Sequence, residues 1–377
     1  MSLIFPNFRR SILNLSCSFA KFLGVDTDYD VLDMVYDQLL GRDKIVFICV
    51  DGFGSEILDR LGSETLDDGS DVAGFMKDHK VRDLTSVFPS TTTNATTVLA
   101  SADSPIQNGW LAWCVYFKEI NKHVELFRGK DYYTTEDILP NFVWDTLGYT
   151  PYYNKAKSEY TINTVFPRYL TNIMSENNYT FNTTDEQYDW IDNALSKEGK
   201  QFVYSYNSTP DDIFHDEGTY GVKSKQVISK INSRLKQLAE KHPEALIVVT
   251  ADHGHIDVSG YIKIYEDKEF LSFLEQLPFG EPRAMFVNVK KDKFDQFIKY
   301  VNKNFDESIS IFSREDLISN GIFGKGYKYS HLIGEYVLTI NDNRIFLFSE
   351  KTPLFKGQHT GLSREEMLVP LIIINGK

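Results

Sequence analysis

Cysteine is scarce: Cys17, Cys49 and Cys114 are the only three in 377 residues. Three scattered thiols build neither a disulfide framework nor a cysteine-rich zinc site, and they fit small buried residues in a reducing compartment. Long apolar runs are missing too. No stretch approaches the ~18 consecutive apolar residues that span a bilayer. The N-terminal segment MSLIFPNFRRSILNLSCSFAKFLGV breaks its apolar positions with Asn, Arg, Ser and Lys, so it holds no continuous secretory core. The expectation is a cytoplasmic protein without a membrane partner. Positive charge is in deficit, with 40 Lys+Arg against 53 Asp+Glu and a net charge of −13. That balance argues against a nucleic-acid partner, whose capture depends on cation-driven counterion release. Internal repeats and low-complexity segments are absent, which excludes solenoids and disordered arrays. A hydrophobic share of 42% with 25% charged residues describes a folded globular chain with a sizeable core.

Apolar strand-like runs alternate with helical patterns, the signature of an α/β protein with a mainly parallel sheet flanked by helices. Lys44–Val50 (KIVFICV) is continuous and rich in β-branched residues, as for a strand buried on both faces. Residues 202–206 and Leu246–Thr250 (LIVVT) read the same way. Residues 368–374 (LVPLIII) form a fourth such run, where Pro370 suggests an edge or a bulge. Between the second and third runs, Val227, Ile228, Ile231, Leu235 and Leu238 recur at helical spacing. Residues 258–356 interrupt this alternation and read as an inserted α+β cap: strand 285–289, helix 291–304, strand 308–312 and a short helix 314–320. The catalytic core then comprises residues 1–257 and 357–377. Residues 117–182, rich in Tyr, Asn and Thr, suggest a lid within that core.

Ligands of open parallel sheets bind beyond the carboxyl ends of the strands, and here those ends carry acids and imidazoles. The first run ends in Asp51-Gly52-Phe53-Gly54. Alone, such an Asp is commonly a turn former or helix cap. The second is followed by Asp211-Asp212-Ile213-Phe214-His215, where a carboxylate precedes an imidazole by four residues; a solvated acidic loop is the plain alternative. The third leads directly into Asp252-His253-Gly254-His255, and far downstream stands Gly357-Gln358-His359-Thr360-Gly361. Three aspartates and three histidines at strand ends suit two borderline divalent ions, zinc first and manganese second. His255 fits a residue that orients a ligand. His79, His123, His242 and His331 lack such neighbours and read as surface or packing residues. The hydroxyl-dense stretch from Ser90 to Thr97 is expected to contain a helix start, whose free amides and dipole suit a phosphate or sulfate group.

These segments together resemble the nucleotide pyrophosphatase/phosphodiesterase (type I phosphodiesterase) family of the alkaline phosphatase superfamily. The likeness runs in the family's order through roughly residues 44–377 and implies an alkaline-phosphatase-like α/β fold. It further implies that Asp51, Asp252 and His253 hold one metal ion and that Asp211, His215 and His359 hold the other. The family's nucleophile lies four residues after an apolar residue that precedes Pro. Counting from Phe88 gives Thr92, whereas anchoring on Asn94 gives Thr91; Thr92 is the reading adopted. Two positions depart from the family's pattern and bear on substrate choice: Asn108-Gly109 replaces His-Gly, and Trp113 stands where nucleotide-cleaving members carry a phosphate-contacting Asn.

The implied activity is hydrolysis of a small-molecule phosphate ester, of phosphodiesterase or pyrophosphatase type, through a phosphothreonine. No Lys or Arg lies between Thr85 and Phe117, which favours diesters over dianionic monoesters. Phe53, Trp110, Trp113 and Phe214 are the expected aromatic substrate walls. A phosphomonoesterase or a metal-dependent phosphosugar mutase of the same superfamily is the first competitor. A sulfatase would need a Cys-x-Pro-x-Arg that none of the three cysteines provides, and a non-catalytic metal-binding protein would be expected to have lost a ligand. The oligomeric state is left open.

Overall fold

The computed structural model describes residues 3–170 and 173–376, so the outermost residues of the core and 171–172 of the expected lid lie outside the described residues. A seven-stranded sheet forms the centre, in the order Lys80–Thr85, Leu368–Asn375, Leu246–Thr250, Lys44–Val50, Gln201–Asn207, Thr161–Pro167, Asn177–Phe181. Lys44–Val50 pairs in parallel on both sides. Its six C-terminal residues are buried, which explains its unbroken apolar sequence. Leu368–Asn375 alone runs against the others. It is internal rather than an edge, and the register shifts by a bulge between Leu371 and Ile372, just after Pro370. A proline has no amide to give to a ladder, and the nearby irregularity accommodates it.

Helices cover both faces. Val222–Lys241 buries Ile228, Ile231, Leu235 and Leu238, with Val227 packed alongside. Near the N-terminus, Ile12–Phe22 is a helix with nine buried residues and a Ser11–Asn14 capping box. It packs on the Thr92–Ser101 helix, where Ser16 Oγ donates to the Leu99 carbonyl at 2.9 Å. None of the described helices is long and apolar enough to cross a membrane.

A second, wholly antiparallel sheet of seven strands is ordered Ile309–Ser313, Tyr336–Ile340, Ala284–Val287, Phe279–Glu281, Cys114–Phe117, Lys122–Glu125, Lys130–Asp131. Helix Phe294–Asn304 buries Phe297 and Val301 beside it. Residues 117–182 thus supply strands to both sheets. The chain leaves the core through Ile256–Asp257 and returns through Gly357–Gln358, and these two short strands pair antiparallel. Residues 258–356 are therefore closed off at their base within a few residues of His255 and His359.

Candidate active site

Three neighbouring strands aim their carboxyl ends at one point. The register sets Cys49 opposite Thr250, so Asp51 and Asp252, each two residues further on, arrive level. On the other side Val50 faces Asn207, and the chain turns at once into helix Thr209–Glu217. Asp211 and His215 share one face of that helix at i, i+4, with Nε2 of His215 3.4 Å from Asp211 Oδ2. Tight turns make the convergence feasible. Gly52 has φ +72, and a Cβ there would stand 2.8 Å from the His255 ring. A Cβ on Gly254 would come 2.0 Å from the Glu365 carbonyl oxygen.

The result is two overlapping clusters. Asp51, Asp252 and His253 form one and Asp211, His253, His255 and His359 the other, each residue offering one ligand atom within 4.8 Å of those of its cluster. His253 Nε2 lies 3.4 Å from both Asp51 Oδ1 and Asp252 Oδ2. Its ring stacks on that of His359 with centroids 3.7 Å apart. Nδ1 of His359 lies 2.8 Å from the Ser90 carbonyl, and Nδ1 of His215 lies 2.8 Å from the Gly357 carbonyl. Both rings thus turn Nε2 inward. His215 stands at the margin of the second cluster. His255 contacts Asp211 more closely, with Nε2 2.6 Å from Oδ1.

The charge balance of this pocket is unusual. The ion-pair partners of Asp51, Asp211 and Asp252 among the described residues are histidines only. Burial, then the proximity of Asp252 and Asp211, pushes the Asp51 carboxyl well above the ordinary range, although Tyr206 donates to its Oδ2. Burial likewise raises Asp252. Oδ1 of Asp51 and Oδ2 of Asp252 are buried without a hydrogen-bond partner, while Oδ1 of Asp252 accepts the Gly52 and His253 amides at 3.1 and 3.0 Å. Desolvation also acts on Asp211, but the charges and hydrogen bonds of His215 and His255 outweigh it and hold this carboxyl well below its usual range. Burial lowers His255 to about 4, so a neutral ring donates to an ionised Asp211. Burial would depress His215 as well, yet Asp211 lifts it above its ordinary value. Burial, then His253, drives His359 well down. Unpartnered carboxylate oxygens facing inward imidazoles are the donor set a borderline divalent cation requires, so the residues fit such ions.

The hydroxyl-dense stretch supplies the remaining part. Helix Thr92–Ser101 starts beside the clusters, with Thr91 as its N-cap. Thr92 is part-exposed, and its Oγ1 lies 3.1 Å from His253 Nε2. Thr91 is buried and turns toward Glu281 instead. The expected aromatic walls need correction. Phe53, Trp110 and Phe214 are 1, 2 and 0% exposed and belong to the core, with the Trp110 indole donating to the Leu147 carbonyl at 2.8 Å. Trp113 remains part-exposed. A ring missed by sequence reasoning, Phe355, packs 4.5 Å from His215. Glu281 was missed too: it is buried on the second sheet and accepts the Trp113 amide at 2.6 Å. No sequence periodicity marks it, because its partners lie some 170 to 190 residues away.

Comparison with known proteins identifies the family and the fold. The family profile described as type I phosphodiesterase/nucleotide pyrophosphatase matches residues 45–362. No curated protein sequence gives a significant match. Among solved structures, murine ectonucleotide pyrophosphatase/phosphodiesterase 5 superposes with a TM-score of 0.63 at 17% identity, covering 87% of each chain. An inactive variant of that murine protein in complex with AMP gives 0.66 at 17% identity over 89% of this chain and 88% of the other. Phosphonoacetate hydrolase from Sinorhizobium meliloti 1021, in complex with phosphonoformate, gives 0.64 at 15% identity over 89% and 90%. At such identities the solved structures establish the shared α/β architecture, while the profile spans most of the chain. The protein belongs to the type I phosphodiesterase/nucleotide pyrophosphatase family of metal-dependent phosphoester hydrolases.

Proposed function

We propose that the protein hydrolyses phosphodiesters or pyrophosphate-linked small molecules through a covalent phosphothreonine on Thr92. The observation that carries this reading is the approach of Thr92 Oγ1 to within 3.1 Å of His253 Nε2 from the first turn of a buried helix. Asp51, Asp252 and His253 would hold one divalent ion, and Asp211, His215 and His359 a second, with zinc preferred over manganese by the mixed oxygen and nitrogen donors. When bound, such ions supply Lewis-acid charge that acidifies the nucleophile and offsets negative charge on the leaving oxygen.

The chain's own residues do the rest. Thr92 Oγ attacks phosphorus as the bond to the leaving oxygen breaks, and the hydroxyl proton passes to that oxygen, giving the phosphothreonine and a free alcohol or phosphate. Backbone amides in the first turn of its helix have no intrahelical carbonyl to meet, so they receive phosphoryl oxygens. Water then attacks phosphorus, the bond to Oγ breaks, and the Thr92 hydroxyl is regenerated. His255 keeps Asp211 ionised and oriented through its 2.6 Å hydrogen bond.

The preference for diesters rests on the lack of cations in the nucleophile segment. The helix and the loop after it bring no Lys or Arg, and the buried Glu281 carboxyl beside Thr91 disfavours a second negative charge. Trp113, with the Arg128 guanidinium 5.3 Å from its ring centroid, and Phe355, packed on His215, are the part-exposed rings offered to a planar leaving group. Nucleotides are one such class, as the AMP complex of the murine protein suggests. The inserted 258–356 unit serves as the cap over this pocket. The three cysteines, all free and buried, support a reducing, cytoplasmic setting. The test pairs metal analysis with side-by-side rates on bis- and mono-p-nitrophenyl phosphate. The expected outcome is a higher kcat/KM on the diester, abolished by chelation. A clear monoester preference would move the assignment to a phosphatase, and transfer of phosphate to a sugar would single out a mutase.

A further inference from the structure

Arg283 and Glu366 form an ion pair whose side chains are both fully buried. Arg283 lies in the turn between strands Phe279–Glu281 and Ala284–Val287 of the second sheet, and Glu366 lies in the short helix Arg364–Met367 of the core. The contact is bidentate, with Nε donating to Oε1 at 2.6 Å and Nη2 to Oε2 at 3.0 Å. The guanidinium is otherwise saturated by backbone: Nη1 donates to the carbonyls of Asp342 and Arg344, both at 2.7 Å, and Nη2 reaches that of Ile340 at 3.4 Å. Glu366 turns its remaining capacity toward the loop that follows His359. Its Oε1 accepts the Gly361 amide at 2.7 Å, and its Oε2 accepts the Ser363 amide at 3.2 Å. The Arg283 amide itself donates to Thr360 Oγ1 at 3.1 Å.

Thr360 has φ +96, a conformation that a threonine keeps only when its surroundings impose it. On the far side, Ser90 fastens the same loop twice, through Oγ to the Gly361 carbonyl at 3.0 Å and through its carbonyl to His359 Nδ1 at 2.8 Å. His359 therefore sits between two clamps, one from the nucleophile segment and one from the inserted unit.

We propose that Arg283 and Glu366 are positioning residues: their buried pair holds the turn at Thr360-Gly361 and so fixes where the His359 imidazole stands in the site. The inserted unit thereby sets the geometry of a residue in the core. The inference rests on the reading of His359 as a metal-holding residue. Lysine at position 283 could not bridge both carboxylate oxygens and three carbonyls, since it lacks the planar fork.

The test measures divalent-ion affinity, by zinc titration against a competing chelator, for the full-length wild type, Glu366→Gln, Arg283→Lys and the double variant Arg283→Met/Glu366→Met. The double variant guards against loss of folding, because a buried ion pair replaced on both sides by apolar groups of similar volume is often tolerated. Circular dichroism checks that each variant is folded. The expected result is ~10–100-fold weaker binding at one ion site with the other unchanged, and a smaller loss for Arg283→Lys than for Glu366→Gln. A general structural role would weaken both sites together. Wild-type affinity at both sites in folded variants overturns the inference alone. A wild-type protein that binds no zinc overturns the reading of the site, and the inference with it.

Discussion

Replacing Glu281 by Gln should stabilise the protein in mild base and leave it unchanged in acid. The side chain is buried, with its Oε1 on the Trp113 amide and the Thr91 hydroxyl close by. Burial raises this carboxyl from 4.5 to about 7. A group whose folded value exceeds its unfolded one contributes stability that is fully present below 4.5 and lost as pH rises through about 7. At ~1.36 kcal/mol per pH unit, the gap amounts to about 3 kcal/mol, an upper figure. Gln stays neutral, still accepts the Trp113 amide, and can donate to the Thr91 oxygen. The stability difference between variant and wild type should therefore be near zero at about pH 4.5 and level off above about pH 7. For a chain of this length that difference corresponds to ~4 °C in Tm. Urea or thermal unfolding of both proteins across this range measures it, and the raised Asp51 and Asp252, common to both, cancel. A difference that is flat with pH, or that shrinks toward base, would refute the reasoning.

Thr92→Ala should lower turnover by ~10³-fold or more while both ions stay bound, whereas Thr91→Ala should stay active; the reverse pattern in a rate assay would shift the nucleophile by one residue. Asp252→Ala deletes an unpartnered buried oxygen and should reduce the metal content from about two ions to about one by elemental analysis. Above about pH 7, where Glu281 is ionised, Glu281→Gln should also narrow the diester preference, read as the ratio of kcat/KM on bis- and mono-p-nitrophenyl phosphate, since it removes a negative charge beside the Thr91–Thr92 turn.

The site was more legible than its surroundings. Asp51, Asp211, Asp252 and His253 each follow a buried apolar strand within a few residues, so local sequence is enough to place them at strand ends. Thr92 was preferred over Thr91 by counting from Phe88, and the structure adds a difference in surroundings that sequence does not carry: the Thr92 hydroxyl faces His253 while Thr91 is buried. Phe53, Trp110 and Phe214 turned out to be core residues, because a side chain beside a ligand in sequence need not point the same way as the ligand; Trp113 stays part-exposed. Strand Phe279–Glu281 went unread because it is only three residues long, although it forms a tight hairpin with Ala284–Val287, and Tyr336–Ile340 because its partners lie tens of residues upstream. Cys114–Phe117 joins the same sheet as the inserted unit through a single pairing, Gly280 with Cys114, which no local pattern announces. Arg283 and Glu366 look like ordinary surface charges until the fold buries them together.

The antiparallel strand Leu368–Asn375 has a consequence for biosynthesis. It fills the gap between Lys80–Thr85 and Leu246–Thr250, so neither neighbour can complete its ladder until residues made more than a hundred positions later leave the ribosome. Until then the nascent chain carries two unsatisfied strand edges, one of them the LIVVT segment that leads into Asp252 and His253. Such edges are templates for pairing with other chains. A ribosome that stalls within residues 258–356 therefore leaves an aggregation-prone intermediate, and holding that half-built sheet apart from its neighbours becomes work for a chaperone.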